Sequence, residues 1–302
     1  MSRRSDCRLV VTDLDGTLLD EDTYDFAPAR PALAALADRG IPLVLCSSKT
    51  RAEMEPLAAR LGLATPIVVE NGGALVFPAD SLPVAPPGAW REGSRLVVPL
   101  GVARADLVAA LPEVAGEAGV TARGFATMPE EEVTARTGLG PGATRRAMQR
   151  EWDEPFLVEG DETEYEGRLA EAARKRGLQV TRGGRFHHLT GPVDKGEALR
   201  ALLRLLPLAP LGQTVGLGDS ANDLPMLEAV DRPVVMPGKD GGLEPALAAA
   251  LSGAERGPAP GPAGWAATVL GVLAGRSWPR VDPARGSTHR GQERHRYGRG
   301  RR

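Results

Sequence analysis

Asp13 and Asp15 stand two residues apart behind the apolar run Leu9-Val10-Val11 and are followed by Gly16-Thr17. In a strand, residues i and i+2 project from the same side, so the two carboxylates start out parallel and the glycine turn holds them at the tip. Like charges this close shift each other's proton affinity and favour a shared cation or proton, which is how a site obtains one ionised carboxylate beside one acid. A solvated acidic turn has the same local sequence. A calcium loop does not fit, because it needs further oxygen ligands and a closing Glu at fixed offsets, whereas this chain continues Thr17-Leu18-Leu19.

Three further segments bring polar groups to the ends of regular stretches. Leu43-Val44-Leu45-Cys46-Ser47-Ser48 is an apolar strand ending in hydroxyls, Asp194-Lys195-Gly196 opens a helical stretch, and Gly216-Leu217-Gly218-Asp219-Ser220-Ala221-Asn222-Asp223 closes another apolar strand. With Asp13-Leu14-Asp15-Gly16-Thr17, and in this order, they resemble the four motifs of the haloacid dehalogenase superfamily of phosphotransferases.

That resemblance implies Asp13 as the nucleophile of an aspartyl-phosphate intermediate and Asp15 as the acid that protonates the leaving oxygen and later deprotonates water. It implies Ser47 and Lys195 as the holders of the transferring phosphoryl group. Lys195 at a helix N-terminus adds a point charge to free N–H donors, a setting suited to an anion. A magnesium ion would be held by Asp13, the backbone carbonyl of Asp15 and Asp219, with Asp223 supporting that shell. Clustered carboxylates repel a phosphate dianion, so a cation must invert the local field before substrate can approach. The segment Gly216 to Ala221 also fits a Gly-x-Gly-x-x-Gly/Ala dinucleotide fingerprint, with Asp240 near the ribose position. That fingerprint needs bare backbone against a pyrophosphate, and Asp219 directly after the second glycine opposes it.

Glu70-Asn71-Gly72-Gly73 and a large insertion between the second and third motifs resemble the sugar-phosphatase branch of the superfamily. Ser47-Ser48-Lys49-Thr50, Glu151-Trp152-Asp153-Glu154-Pro155-Phe156 and Gly183-Gly184-Arg185-Phe186-His187-His188 are similar to segments of the mannosyl-3-phosphoglycerate phosphatase family, and the likeness runs over about residues 7 to 275. By that likeness the substrate is a phosphorylated glycosylglycerate and the product a compatible solute. Lys49 and Arg185 would meet its carboxylate or phosphate, while Asn71, His187 and Asn222 would read hydroxyls. His187 and His188 read equally well as a partly exposed strand pair with no ligand. Glucosyl-3-phosphoglycerate, sucrose phosphate and hexose phosphates are the alternative substrates, and a phosphomutase or a non-catalytic phosphoester-binding protein the alternative classes. Two departures bear on this: Ser47-Ser48-Lys49 replaces the Thr-Gly-Arg common in sugar phosphatases, and Gly138, Gly140, Pro141 and Gly142 interrupt a stretch that is usually more helical.

The elements that must position these groups alternate. Helical spacing after the first strand ends at Gly40, Ile41 to Cys46 reads as a strand, Arg51 to Leu61 as a helix with Met54, Leu57 and Leu61 on one face, and Ile67 to Val69 as a third strand. Continuous apolar strands between helices predict an α/β fold with a doubly wound parallel sheet covered on both sides, whose ligands sit beyond the strands' carboxyl ends. From Leu82, past Pro83, Pro86, Pro87 and Gly88, to Gly191-Pro192, the pattern becomes α+β. The expected division is a catalytic core of residues 1–82 and 191–275, a cap of residues 83–190 that excludes water and sets specificity, and a basic tail of residues 276–302.

At 302 residues with 25% charged side chains the composition is that of a globular protein. The net charge is −2, but residues 277–302 carry eight arginines against Asp282 and Glu293 with almost no apolar content. Such a tail is expected to be solvated and disordered rather than a nucleic-acid contact, because it offers neither a regular aromatic interleaving of the charges nor a folded basic face. Two cysteines, Cys7 and Cys46, give no disulfide framework, so a reducing, cytoplasmic setting is expected. No signal peptide is visible, and the run Trp265 to Ala274 is too short to span a bilayer. The oligomeric state is left open.

Overall fold

A computed structural model describes residues 7–159, 165–183, 186–206, 208 and 212–282. In chain order the strands are β1 (Cys7–Thr12), β2 (Leu43–Cys46), β3 (Ile67–Val69), β4 (Ala74–Pro78), β5 (Trp90–Glu92), β6 (Arg95–Pro99), β7 (Thr121–Gly124), β8 (Asp153–Glu159), β9 (Gln179–Gly183), β10 (Phe186–Thr190), β11 (Gln213–Gly218), β12 (Arg232–Val235) and β13 (Glu255–Arg256). The helices are α1 (Arg30–Asp38), α2 (Arg51–Arg60), α3 (Arg104–Ala118), α4 (Glu130–Thr137), α5 (Pro141–Ala147), α6 (Glu166–Arg174), α7 (Lys195–Leu205), α8 (Leu224–Glu228), α9 (Pro245–Ala250) and α10 (Gly261–Leu273).

Nine strands form one sheet in the order β13-β12-β11-β1-β2-β3-β4-β6-β5. From β13 to β3 every pairing is parallel, and β4, β6 and β5 extend the sheet antiparallel. The alternation of β1 shows why Leu9-Val10-Val11 is an unbroken apolar run. Val10 packs with Leu36, Met54 and Trp265 on one face, while Leu9 and Val11 pack with Leu199, Leu202, Met226 and Leu247 on the other. A strand covered on both faces has no polar side to show. The expected doubly wound α/β core is therefore present, and its strand order reverses between β1 and β11, where the acidic motifs leave the sheet.

The insertion begins later than the prolines suggest. Residues Arg95–Pro99, expected in the cap, pair with β4 along Ala74 to Pro78 and belong to the core sheet. Pro83, Pro86 and Pro87 lie in the connection from β4 to β5, not at a hinge into the cap. Leu96 and Val98 join one core layer and Val97 the other, a two-sided burial available only inside the large sheet. The cap proper carries an antiparallel sheet of order β7-β8-β10-β9. Helices α3 and α6 cover one face of it, with Leu107, Leu111 and Leu169 against Phe156 and Leu189. The glycines around residue 140 separate two helices rather than abolish helicity: Gly138 ends α4 at φ 77°, and Pro141 starts α5.

The tail boundary moves as well. Val281 is buried and its N–H donates to the Ala254 carbonyl, while the Trp278 N–H donates to Glu255. Residues 276–282 thus lie on the core beside β13, and residues 283–302, with most of the arginines, are outside the described residues. Among the described residues no helix is long and apolar enough to cross a membrane.

Candidate active site

Asp13 follows β1 directly, and its N–H donates to the carbonyl of Leu217 in the parallel neighbour β11 at 2.9 Å. Behind it, the buried Thr12 hydroxyl receives the indole N–H of Trp265 at 3.0 Å and donates to the Asp13 carbonyl at 2.8 Å. These contacts leave the Asp13 backbone one arrangement. Gly16 turns at φ 77°, and a Cβ there would stand 2.6 Å from Asp219 Oδ2, so only glycine lets the first acidic loop approach the fourth.

Lys195 is the first residue of α7 and is 1% exposed. Asp194 caps that helix, its carboxylate accepting the Glu197 N–H at 2.8 Å. Gly72, at φ 102°, lies so close that a Cβ would stand 2.2 Å from the Asp194 carbonyl oxygen. The Lys195 ammonium donates to Asp13 Oδ1 at 2.7 Å and to Asp223 Oδ1 at 2.6 Å. Asp223 Oδ2 accepts the N–H groups of Asp219 and Ser220 and the Ser220 hydroxyl, each at 3.0 Å. Asp219 is fixed by the Thr17 hydroxyl, which donates to its Oδ1 at 2.7 Å.

Carboxylate oxygens of Asp13, Asp219 and Asp223 all lie within 4.8 Å of one another. Three carboxylates therefore face one ammonium. Burial, and then the charge of Asp223, push the Asp13 carboxyl well above its ordinary value against the pull of Lys195. The same two causes raise Asp219 to about 7, opposed by Thr17 and Lys195. Burial would lower Lys195, but Asp13 and Asp223 outweigh it and hold the ammonium charged. An all-oxygen donor set with surplus negative charge fits a hard divalent cation. Among the described residues, Asp13 Oδ2 and Asp219 Oδ2 have no hydrogen-bond partner, whereas both oxygens of Asp223 are engaged. Asp223 accordingly braces the loop and orients Lys195.

The remaining expected residues divide. Ser47 is buried at the end of β2 and its hydroxyl accepts the Lys49 N–H at 3.3 Å. Lys49 is paired with Asp15 Oδ2 at 2.7 Å and lies over the Tyr24 ring, so here it faces the acidic motif. Asp15 Oδ1 is buried without a hydrogen-bond partner among the described residues. Asn222 donates to the Asn71 side chain at 3.1 Å, joining the loops after β11 and β3. His187 does not join the site: it stacks on Phe156 and meets the Tyr165 hydroxyl at 3.2 Å, on the face covered by α3 and α6. Arg185 lies outside the described residues.

Thr17 and Glu70 carry roles that their motifs alone did not assign. The Glu70 carboxylate is 1% exposed and accepts the N–H groups of Glu151 at 3.0 Å and Trp152 at 2.9 Å, clasping the chain as it enters β8. Burial raises Glu70 to about 7 against the opposing charge of Arg150. Glu70 thus binds a proton more tightly folded than unfolded, so its stabilisation is complete below about pH 4.5 and is lost as pH rises through 7. Between pH 4.5 and 8, the unfolding free energy of Glu70→Gln relative to the parent should move in the variant's favour by on the order of 3 kcal/mol. Urea unfolding across that range measures it, and parallel pH curves would refute it.

A family model described as haloacid dehalogenase-like hydrolase matches residues 10–82 and 159–243. The chain belongs to this family of hydrolases, as its four motifs led one to expect. A relative from Methanococcoides burtonii, named glucosyl-3-phosphoglycerate/mannosyl-3-phosphoglycerate phosphatase, is 36% identical over 266 residues, spanning 88% of this chain and 97% of the relative. A mannosyl-3-phosphoglycerate phosphatase from Pyrococcus furiosus is 37% identical over 224 residues, covering 74% of this chain and 88% of its own. In fold alone, the chain is similar to a solved Thermotoga maritima structure with a TM-score of 0.55 at 19% identity, over 91% of this chain and 100% of that one.

Proposed function

We propose that the protein hydrolyses mannosyl-3-phosphoglycerate to mannosylglycerate and phosphate, with glucosyl-3-phosphoglycerate as a second substrate. The observation that carries this is the 36% identity to a phosphatase named for both esters, sustained over 97% of its length and so through the cap as well as the core. The dual name is the specific reason for including the glucosyl ester. The two buried free cysteines fit a reducing compartment such as the cytoplasm.

In the first step an Asp13 carboxylate oxygen attacks phosphorus, the ester P–O bond breaks, and the departing glycerate oxygen takes a proton from Asp15. In the second, Asp15 removes a proton from water, which attacks the aspartyl-phosphate and releases phosphate, returning Asp13 as a carboxylate. Ser47 and Lys195 hold the phosphoryl oxygens through both steps, the ammonium being already charged and in place. Magnesium would be held by Asp13, the Asp15 carbonyl and Asp219, with Asp223 bracing them, and when bound it neutralises the carboxylates and the phosphoryl charge. Closure of the cap onto the core excludes competing water.

A panel of mannosyl- and glucosyl-3-phosphoglycerate, mannose 6-phosphate and sucrose phosphate, scored by phosphate release, tests this. The glycosyl-phosphoglycerates should be favoured in kcat/KM by roughly a hundredfold or more. EDTA should abolish turnover and magnesium restore it. Equal rates on the hexose phosphates would overturn the substrate assignment, an isomerised ester would indicate a mutase, and tight binding without turnover a non-catalytic protein.

A further inference from the structure

The cap holds a buried polar relay that the phosphoryl chemistry does not use. Asp153, fully buried, accepts Arg150 Nη1 on Oδ2 at 2.7 Å and the His188 Nδ1–H on the same oxygen at 2.8 Å. Arg150 Nη1 also donates to the Ser48 carbonyl at 2.9 Å, in the loop that carries Ser47 and Lys49. The relay therefore runs from the core's second motif into the cap sheet. Strand register sets its direction. Thr190 opposes Asp153 and His188 opposes Pro155, so these four share one face, while His187 opposes Phe156 on the face packed by helices. Further along that first face Leu157 and Phe186 pack against Phe125, Met128 and Val133, but at its Asp153 end Arg150 ties it to the core loop, so His188 stands at the end of the face that meets the second motif.

A buried ion pair is costly to assemble, and here it does one identifiable thing: it holds an imidazole in one tautomer. With Nδ1–H committed to the carboxylate, the neutral ring presents Nε2 as an acceptor. His188 is 9% exposed, and its Nε2 has no hydrogen-bond partner among the described residues. We propose that His188 is a specificity-determining residue whose Nε2 accepts a hydroxyl of the substrate's glycosyl group, and that Asp153 and Arg150 are its positioning residues. This rests on the glycosyl-phosphoglycerate assignment above and supplies that assignment with its sugar-reading contact in the cap.

The test compares kcat and KM on mannosyl-3-phosphoglycerate with those on p-nitrophenyl phosphate, which carries no sugar. His188→Ala should lose about 10- to 100-fold more kcat/KM on the glycosyl ester than on the aryl ester, chiefly through KM. Asp153→Asn should do the same, because an amide donating to Nδ1 moves the proton to Nε2 and turns the acceptor into a donor. Equal losses on both esters, or none, overturn the inference and leave the relay as a structural tie. In the unsubstituted protein, saturating mannosylglycerate should shift the His188 Nε2 nitrogen resonance. An unmoved resonance overturns the inference even if the variants misfold. If the parent enzyme ignores the glycosyl ester, the substrate assignment and this contact fall together, whereas turnover by the parent with unselective variants sinks the contact alone.

Discussion

Asp13→Asn should lower phosphate release on the order of 10⁴-fold or more while leaving the fold intact. The amide fills the volume of the carboxylate but cannot attack phosphorus. The fold survives because the charge removed is one the protein holds at a cost: burial and Asp223 both disfavour it. Lys195 keeps its 2.6 Å partner Asp223 after the substitution, and the backbone contacts of residue 13 with Leu217 and Thr12 do not involve its side chain. The melting temperature without metal should accordingly change by only a few degrees. Turnover within tenfold of the parent would reject Asp13 as nucleophile, and a collapse in melting temperature would show that its role is structural.

Lys195→Met should have the larger effect on stability. The ammonium is 1% exposed and bonds two carboxylates at once. Methionine replaces its stem but leaves Asp13 and Asp223 facing each other and Asp219 with no cation between them. Removing one partner from a buried ionic cluster costs about 3–5 kcal/mol. Denaturant unfolding in EDTA measures that loss, and turnover should fall as far as in Asp13→Asn because the phosphoryl group also loses its ammonium. A loss below about 1 kcal/mol would mean that the carboxylates simply take up protons, and that Lys195 is not what holds the three loops together. Magnesium should recover part of the lost stability, since it binds the folded protein alone.

Much of the catalytic core was legible because its information is local. A parallel strand buried on both faces must be an unbroken apolar run, so β1, β2, β3 and β11 announced themselves, and the groups that act beyond such strands follow them within a few residues. The cap was less legible because its glycines and prolines mark turns without saying which sheet the neighbouring strands join. Arg95–Pro99 has the same short apolar run whether it pairs inside a cap or with Ala74–Pro78, and only that pairing assigns it to the core. The two adjacent histidines show the same limit at the scale of one residue: a strand alternates sides with period two, but which side faces the core is set by register with a partner about 30 residues away.

The sequence by itself determined the acidic motifs, the lysine at a helix start and the doubly wound order, since each follows from spacing and from the covalent neighbourhood of the chain. Only the tertiary structure decided that Asp223 is spent on Lys195 and the Asp219 loop, that Lys49 faces Asp15, that Glu70 clasps the cap, and that His188 rather than His187 is aligned by Asp153. Those pairings join groups as much as 82 residues apart, and no local pattern can encode which buried charge will find which partner until packing has excluded the water that would otherwise satisfy both.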